Sequence, residues 1–174
     1  MNYVALIRGI MPSNSQMRNA ELCRVIEALG YKDVRAVISS GNVVFSSEKT
    51  DEKMIEHEMS EALRSGLGIP GPVLVRSQLE LEALLAAKPF KDQLHNQTTY
   101  LSVTFFADET KTAPFSFPGA KVMRLSDREL CIVTNPEKDP SADVMRSLQK
   151  AYGKNITTRT WKTVERIVKK FSAS

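Results

Sequence analysis

Two polar loops and an arginine lie close together in the first quarter of the chain. Arg8-Gly9 ends the apolar run Tyr3 to Ile7, Met11-Pro12-Ser13-Asn14-Ser15 follows, and Ser39-Ser40-Gly41-Asn42 separates two β-branched runs. Arginine presents a fixed fork of donors that suits carboxylate or phosphate. A helix start beside it adds unpaired N–H groups and about half a positive charge. With the hydroxyls of Ser13 and Ser40 and the amides of Asn14 and Asn42, these residue types point to a small-ligand or anion site made of Arg8, Gly9, Ser13, Asn14, Ser40, Gly41 and Asn42. A structural reading stands beside it. Ser-Gly-Asn is good hairpin chemistry, because Gly and Asn tolerate positive φ. Ser13, Asn14 or Ser15 can cap the next helix, and Arg8 can pair with a surface acid.

A second candidate is Arg159-Thr160-Trp161. Thr160 has the character of a helix N-cap, and Trp161 would stand on the first turn, where an indole wedges against a sheet or stacks on a ligand. A third is nucleic acid. Lys154, Lys162, Arg166, Lys169 and Lys170 make the C-terminal region basic, and the net charge of +4 permits such a partner without demanding one. RNA-binding sheets need exposed aromatics on their central strands. Only Tyr3 and Phe45 are offered here, so the charge run reads first as a solvated helix face.

Catalytic signatures are thin. His57 falls opposite the apolar stripe Ile55-Met59-Leu63, and His95 lies in a linking segment. Cys23 and Cys131 sit inside predicted elements without metal-ligand spacing and read as buried thiols. Glu80 and Glu82 belong to an amphipathic helix. No phosphate loop, nucleophile elbow or metal motif is present, so no catalytic residue, metal or cofactor is assigned.

The elements that must position these residues follow from periodicity. Tyr3 to Ile7 predicts a first strand. Leu22, Val25, Ile26 and Leu29 predict a helix stopped by Gly30. Val34 to Ile38 and Val43 to Phe45 predict a hairpin. Ile55, Met59, Ala62 and Leu63 predict a second helix, broken over Gly66 to Pro72, and Val73 to Val75 a fourth strand. The order β-α-β-β-α-β is that of ferredoxin-like folds, and a further helix runs from about Ser77 to Ala87. The second half repeats the plan: strands at Tyr100–Phe106, Lys121–Leu125, Glu129–Val133 and Ile156–Thr158, and helices at Asp143–Tyr152 and Trp161–Phe171. Pro114, Pro118 and Gly119 leave its first helix short or absent. The expected organisation is α+β, with two tandem ferredoxin-like pseudo-repeats: 1–87, a linker 88–99, and 100–174. Near-continuous apolar strands imply that both sheet faces are covered.

An internal repeat supports this organisation. Val73 to Leu85 and Ile156 to Val168 align so that Arg76 faces Arg159, Ser77 faces Thr160 and Glu82 faces Glu165. Each copy is a strand, an arginine, a hydroxyl cap and an amphipathic helix. The topology puts both arginines at the sheet end opposite Arg8 and Ser40-Gly41-Asn42. The repeated element therefore reads as a brace for a covering helix, and the differences between the copies are where function is sought.

Of the 174 residues, 42% are hydrophobic and 25% charged, as in a globular domain, and no apolar run reaches membrane-spanning length. The start Asn2-Tyr-Val-Ala-Leu-Ile7 reads as a core strand, not a leader, which predicts a cytoplasmic protein. An exposed sheet face would favour a dimer.

Four segments carry a family resemblance: Tyr3-Val-Ala-Leu-Ile-Arg-Gly-Ile10, Glu27-Ala-Leu-Gly-Tyr31, Val37-Ile-Ser-Ser-Gly-Asn-Val-Val-Phe45 and Thr157-Thr-Arg-Thr-Trp-Lys-Thr-Val164. In this order they resemble the uncharacterised bacterial family called domain of unknown function 1697. The resemblance implies a tandem pair of ferredoxin-like halves and no established activity, cofactor or substrate. Two positions depart from it. The loop after the first strand is often Gly-rich in the family but is Met11-Pro12-Ser13-Asn14-Ser15 here, and Thr160 stands where asparagine is usual.

Overall fold

The apolar run behind Met1 becomes β1 (Asn2–Ile7), the centre of the first sheet. It pairs with β3 (Asn42–Ser46) on one side and β4 (Val73–Ser77) on the other. β2 (Lys32–Ala36) pairs outside β3, for the order β2-β3-β1-β4, all antiparallel. The computed structural model describes residues 1–11, 13–39, 41–91, 93–107 and 114–172. Over these residues the protein is α+β, with two four-stranded antiparallel sheets and five α-helices.

Helices α1 (Asn19–Ala28) and α2 (Glu52–Leu67) connect the strands of the first sheet. The Asp51 side chain accepts from Met54 N–H at 3.2 Å and caps α2, and Gly68, left-handed at φ 67°, ends it. The α2 stripe Ile55, Met59, Leu63, Leu67 shares one core with Tyr3, Ala5, Ile7, Phe45, Val73 and Val75. α3 (Gln78–Ala86) follows β4 without a loop.

The second sheet has the same plan: β5 (Tyr100–Phe106), β6 (Lys121–Leu125), β7 (Glu129–Thr134), α4 (Ser141–Tyr152), β8 (Ile156–Thr160) and α5 (Trp161–Phe171), in the order β6-β7-β5-β8. Val144, Leu148 and Tyr152 of α4 form a core with Phe106, Leu130, Ile132 and Ile156. Registers match residue for residue. Tyr3 pairs with Ser77 and Ile7 with Val73, while Ser102 pairs with Thr160 and Phe106 with Ile156.

The repeated arginines occupy the outer strands. The Val75 and Thr158 carbonyls lie on the open edges of β4 and β8, where an arginine folds back on each. Arg76 donates to Val75 O at 2.6 Å, and Arg159 to Thr158 O at 3.0 Å. The next residue in each copy caps a helix. Ser77 and Glu80 form a reciprocal capping box, with Glu80 N–H to Ser77 Oγ at 3.2 Å and Ser77 N–H to Glu80 Oε2 at 2.8 Å. Thr160 Oγ1 accepts from Thr163 N–H at 3.2 Å. Each repeat thus closes a sheet edge and starts a helix.

Three expectations change in detail. β2 covers Lys32–Ala36 and not Val34 to Ile38, because Asp33 adopts φ 52° at a register shift and Ile38 turns left-handed at φ 53°. An apolar run cannot reveal that its last member leaves the sheet. α2 continues through Gly66 to Leu67 and stops only at Gly68. No helix forms in the described part of 107–119, and residues 108–113 lie outside the described residues. Both faces of the central strands are covered: Val4, Leu6, Val44, Leu74, Val103 and Cys131, turned away from α2 and α4, are fully buried. The chain divides into two compact units, one of 1–83 with 165–174 and one of 84–164. No helix among the described residues is long and apolar enough to cross a membrane.

Candidate functional site

At the end of β1 the backbone is gripped from two sides. Arg8 N–H donates to Pro72 O at 3.2 Å, and Gly71 lies so close that a Cβ there would collide with the Arg8 carbonyl. On the other side Ile7 N–H donates to Gly41 O at 2.8 Å. Gly41 has φ 72°, and a Cβ there would fall 2.7 Å from Ile10 Cγ1. Glycine is required here for conformation and for space.

Several of the polar residues singled out by sequence serve this local structure. Asn42 is fully buried and donates its side-chain amide to Val37 O at 3.3 Å, while Val37 N–H returns to Asn42 O at 2.8 Å. Asn14 accepts from Gln16 N–H at 3.0 Å and caps a single 3₁₀ turn, Ser15–Met17. Ser13 is exposed on the turn before it, Gly9 is exposed, and Arg8 is half-buried. Ser40 lies outside the described residues.

The opening at this sheet end belongs to neighbours that sequence reasoning passed over. A cavity of about 400 Å3 is lined by Ile10, Met17, Arg18, Asn19, Ala20 and Ser39. It sits at the start of α1, whose N-cap Arg18 makes no side-chain capping bond. The first N–H groups of a helix have no intrahelical acceptor, so those of Asn19 and Ala20 are available at the cavity wall. The Arg18 guanidinium is exposed and forms no ion pair among the described residues. Glu21, the acid of the first turn, is held by Arg24 at 3.0 Å, which offsets its charge.

Ile38, beside Ser39, is a β-branched residue in left-handed conformation, an arrangement that costs about 1–3 kcal/mol. Its carbonyl is tied to α1 by the Asn19 side-chain amide at 3.2 Å. The sequence signal for this site was Arg18-Asn19 directly before the periodic run of α1, where no serine or threonine stands as a cap.

The remaining candidates are placed elsewhere. Arg159 is held by Thr157 Oγ1 at 2.8 Å and the Thr158 carbonyl, and burial pulls its pKa down to about 10. Trp161 meets Phe90 edge-on, with centroids 5.1 Å apart. Tyr3 and Phe45, the aromatics an RNA-stacking sheet would expose, are 1% and 2% exposed and stack on each other. Burial pushes the Cys131 thiol up to about 12 and raises that of Cys23, so both are poor nucleophiles near neutrality. His57 is exposed, and His95 leans on Tyr100 at 4.9 Å. Among the described residues no three His, Cys, Asp or Glu side chains gather as metal ligands.

A second cavity in the first unit, of about 410 Å3, is lined by Gly30, Tyr31, Ser46 and Lys49 among others. Its charge is already used: Lys49 and the Tyr31 hydroxyl both donate to Glu58. The α1 cavity is the better candidate, because its donors lack acceptors among the described residues.

A solved structure with the same fold is that of the conserved bacterial protein SP0830 from Streptococcus pneumoniae, 19% identical, with a TM-score of 0.74 over 98% of each chain. Comparison with curated proteins finds no match. The family model described as "Protein of unknown function (DUF1697)" matches residues 1–128, most of the chain. Across the first sheet, its helices and the start of the second, the chain is therefore a member of the DUF1697 family.

Proposed function

We propose that the protein binds a small anionic ligand, carrying a phosphate or carboxylate, at the start of α1. One observation carries this reading: Arg18 and the Asn19 and Ala20 N–H groups line one cavity and have no acidic partner there. Ser39 supplies a hydroxyl on the opposite wall, and the strained Ile38 holds that wall against α1. In this reading Arg8 contributes positive potential from the neighbouring strand end, and Gly41 and Asn42 act by shaping the turn.

Each sheet, with its β-α-β-β-α-β or helix-poor equivalent order, is read here as a ferredoxin-like half, with 88–99 as the joining segment. Two unpaired cysteines fit a reducing compartment, so the cytoplasm is the proposed location.

Crystals soaked in sulfate or phosphate should show the anion against Asn19 N–H, Ala20 N–H and the Arg18 guanidinium. In solution, Arg18→Ala should weaken phosphate binding about ten-fold, as expected for loss of a charge-assisted hydrogen bond. Phosphate affinity equal in the wild type and the variant would sink the assignment.

A further inference from the structure

The second unit holds a larger cavity of different chemistry, about 440 Å3, between β5, β8 and α4. Its sheet wall is made of hydroxyls: Tyr100, Ser102, Thr134 and Thr158. Its helix wall is formed by the apolar Val144, Met145 and Leu148, with Ser141 at the start of the helix. Among the described residues lining it Asp139 is the one that carries charge, and it is 7% exposed.

Ser102 and Thr134 are 4% and 6% exposed, and neither hydroxyl makes a hydrogen bond among the described residues. Buried hydroxyls are ordinarily satisfied. Here two, set diagonally on the paired strands β5 and β7, line the same space. Thr158, by contrast, shares a bond with Thr104 at 2.8 Å. Asp139 Oδ2 accepts from Asn135 N–H at 2.9 Å, and no cation faces the carboxylate among the described residues. A carboxylate so enclosed calls for donors.

The space exists because of specific differences from the first unit. Matched registers put Ser102 where the first sheet has Tyr3, and Thr158 where it has Val75. Tyr3, stacked at 5.6 Å on Phe45, fills the corresponding volume under α2. The buried stripes Ile55-Met59-Leu63 and Val144-Leu148-Tyr152 place Met145 where α2 has Glu56. The second unit has lost an aromatic filler and a carboxylate on the helix wall, and gained hydroxyls on the sheet.

We infer that this cavity binds a primary amine with a short apolar body, its ammonium donating to Asp139 and the Ser102 and Thr134 hydroxyls and its body resting on Val144, Met145 and Leu148. An ammonium has three donors and no acceptor, which matches one carboxylate and two hydroxyls. Among the described residues no lysine or arginine lines the space, and the formal charge there is the Asp139 carboxylate, which repels an anion. The volume suits a ligand of this size.

The test is an NMR titration of the full chain with phenethylamine, and separately with the matched alcohol and the matched carboxylate. The amine is expected to shift the Ser102, Thr134, Val144 and Leu148 resonances, and the carboxylate to leave them in place. Asp139→Asn should weaken amine binding about 10- to 100-fold, the range for a buried charged hydrogen bond. Because that variant touches the Asn135 loop, Met145→Phe is the companion. It fills the cavity without removing a polar partner, and should abolish the shifts while the protein stays folded. Alcohol or carboxylate binding as tight as the amine, or amine binding unchanged in Met145→Phe, would overturn the inference. So would the absence of any shift at millimolar amine.

Discussion

β4 and β8 are the outer strands of two sheets with the same order and the same registers, yet they close their edges by different chemistry. On β4 the outward N–H groups are taken by side chains: Val73 by Ser60 Oγ at 3.0 Å, Val75 by Glu56 Oε1 at 2.8 Å, and Ser77 by Glu80 Oε2. Glu56 also lies 3.9 Å from the buried Arg76 guanidinium. On β8 the helix above contributes no acid. Arg159 serves that edge by folding back on the Thr158 carbonyl, while the threonine hydroxyls bond to the inner strand and the next helix, Thr158 to Thr104 on β5 and Thr160 to Thr163 on α5. An unprotected outer strand is a template for pairing with another chain, so both solutions answer the same need. The lesson lies in what each leaves behind. The α2 solution gives a filled interior, and the threonine solution leaves a cavity walled with hydroxyls.

Substitutions that import one unit's chemistry into the other test this contrast. The largest effect is expected from Tyr3→Ser, which gives the first sheet the residue of the second. Removing a buried ring that no neighbour can replace should cost about 3–5 kcal/mol, read by urea denaturation. A cost below about 1.5 kcal/mol would mean the interior can collapse and that Tyr3 is no filler.

Next is Glu56→Met, which copies α4 onto α2. It strips the acceptor from Val75 N–H and the acid from beside a buried arginine. The expected loss is about 3 kcal/mol, since removing one partner leaves the other buried and unsatisfied. Retained stability would show that the α2 acid is dispensable and the two edges are equivalent.

Ser77→Ala and Thr160→Ala compare the two caps. Each should cost about 1 kcal/mol, with the larger loss at Ser77, which takes part in a reciprocal box. Equal losses would reduce the repeat to a hydroxyl cap in both copies.

The smallest effect concerns Glu58, whose carboxyl is held below its ordinary pKa, first by the Lys49 bond and then by the Tyr31 hydroxyl. A depressed folded-state pKa stabilises above the unfolded pKa, and that stability is lost as pH falls through the folded value. The difference between wild type and Glu58→Gln should therefore be fully present at neutral pH and shrink below about pH 4, the ordinary carboxylate range. Thermal melts across that range measure it. A difference that grows on acidification would contradict the sign.

The candidate site was only partly legible. Arg8, Gly41 and Asn42 could be located at one sheet end from element order, and the structure puts them there. Which of them face open space could not be read, because Asn42 satisfies its amide with Val37 and Gly41 fills a tight corner against Ile10. Arg18, Asn19 and Ser39 line the opening instead, and their role depends on how a 3₁₀ turn before α1 orients the chain.

Local patterning determines the helices, the strands and the order of elements, because periods of two and 3.6 are written in single segments. It also determines that Arg76-Ser77 and Arg159-Thr160 end a strand and start a helix. Only tertiary structure decides the cavities. Tyr3 and Ser102 each look like ordinary strand residues, and whether the volume above them is filled depends on Phe45, Ile132, Glu56 and Met145, which come from other strands and helices. Volume is a property of several segments at once, so no single stretch of sequence can state it.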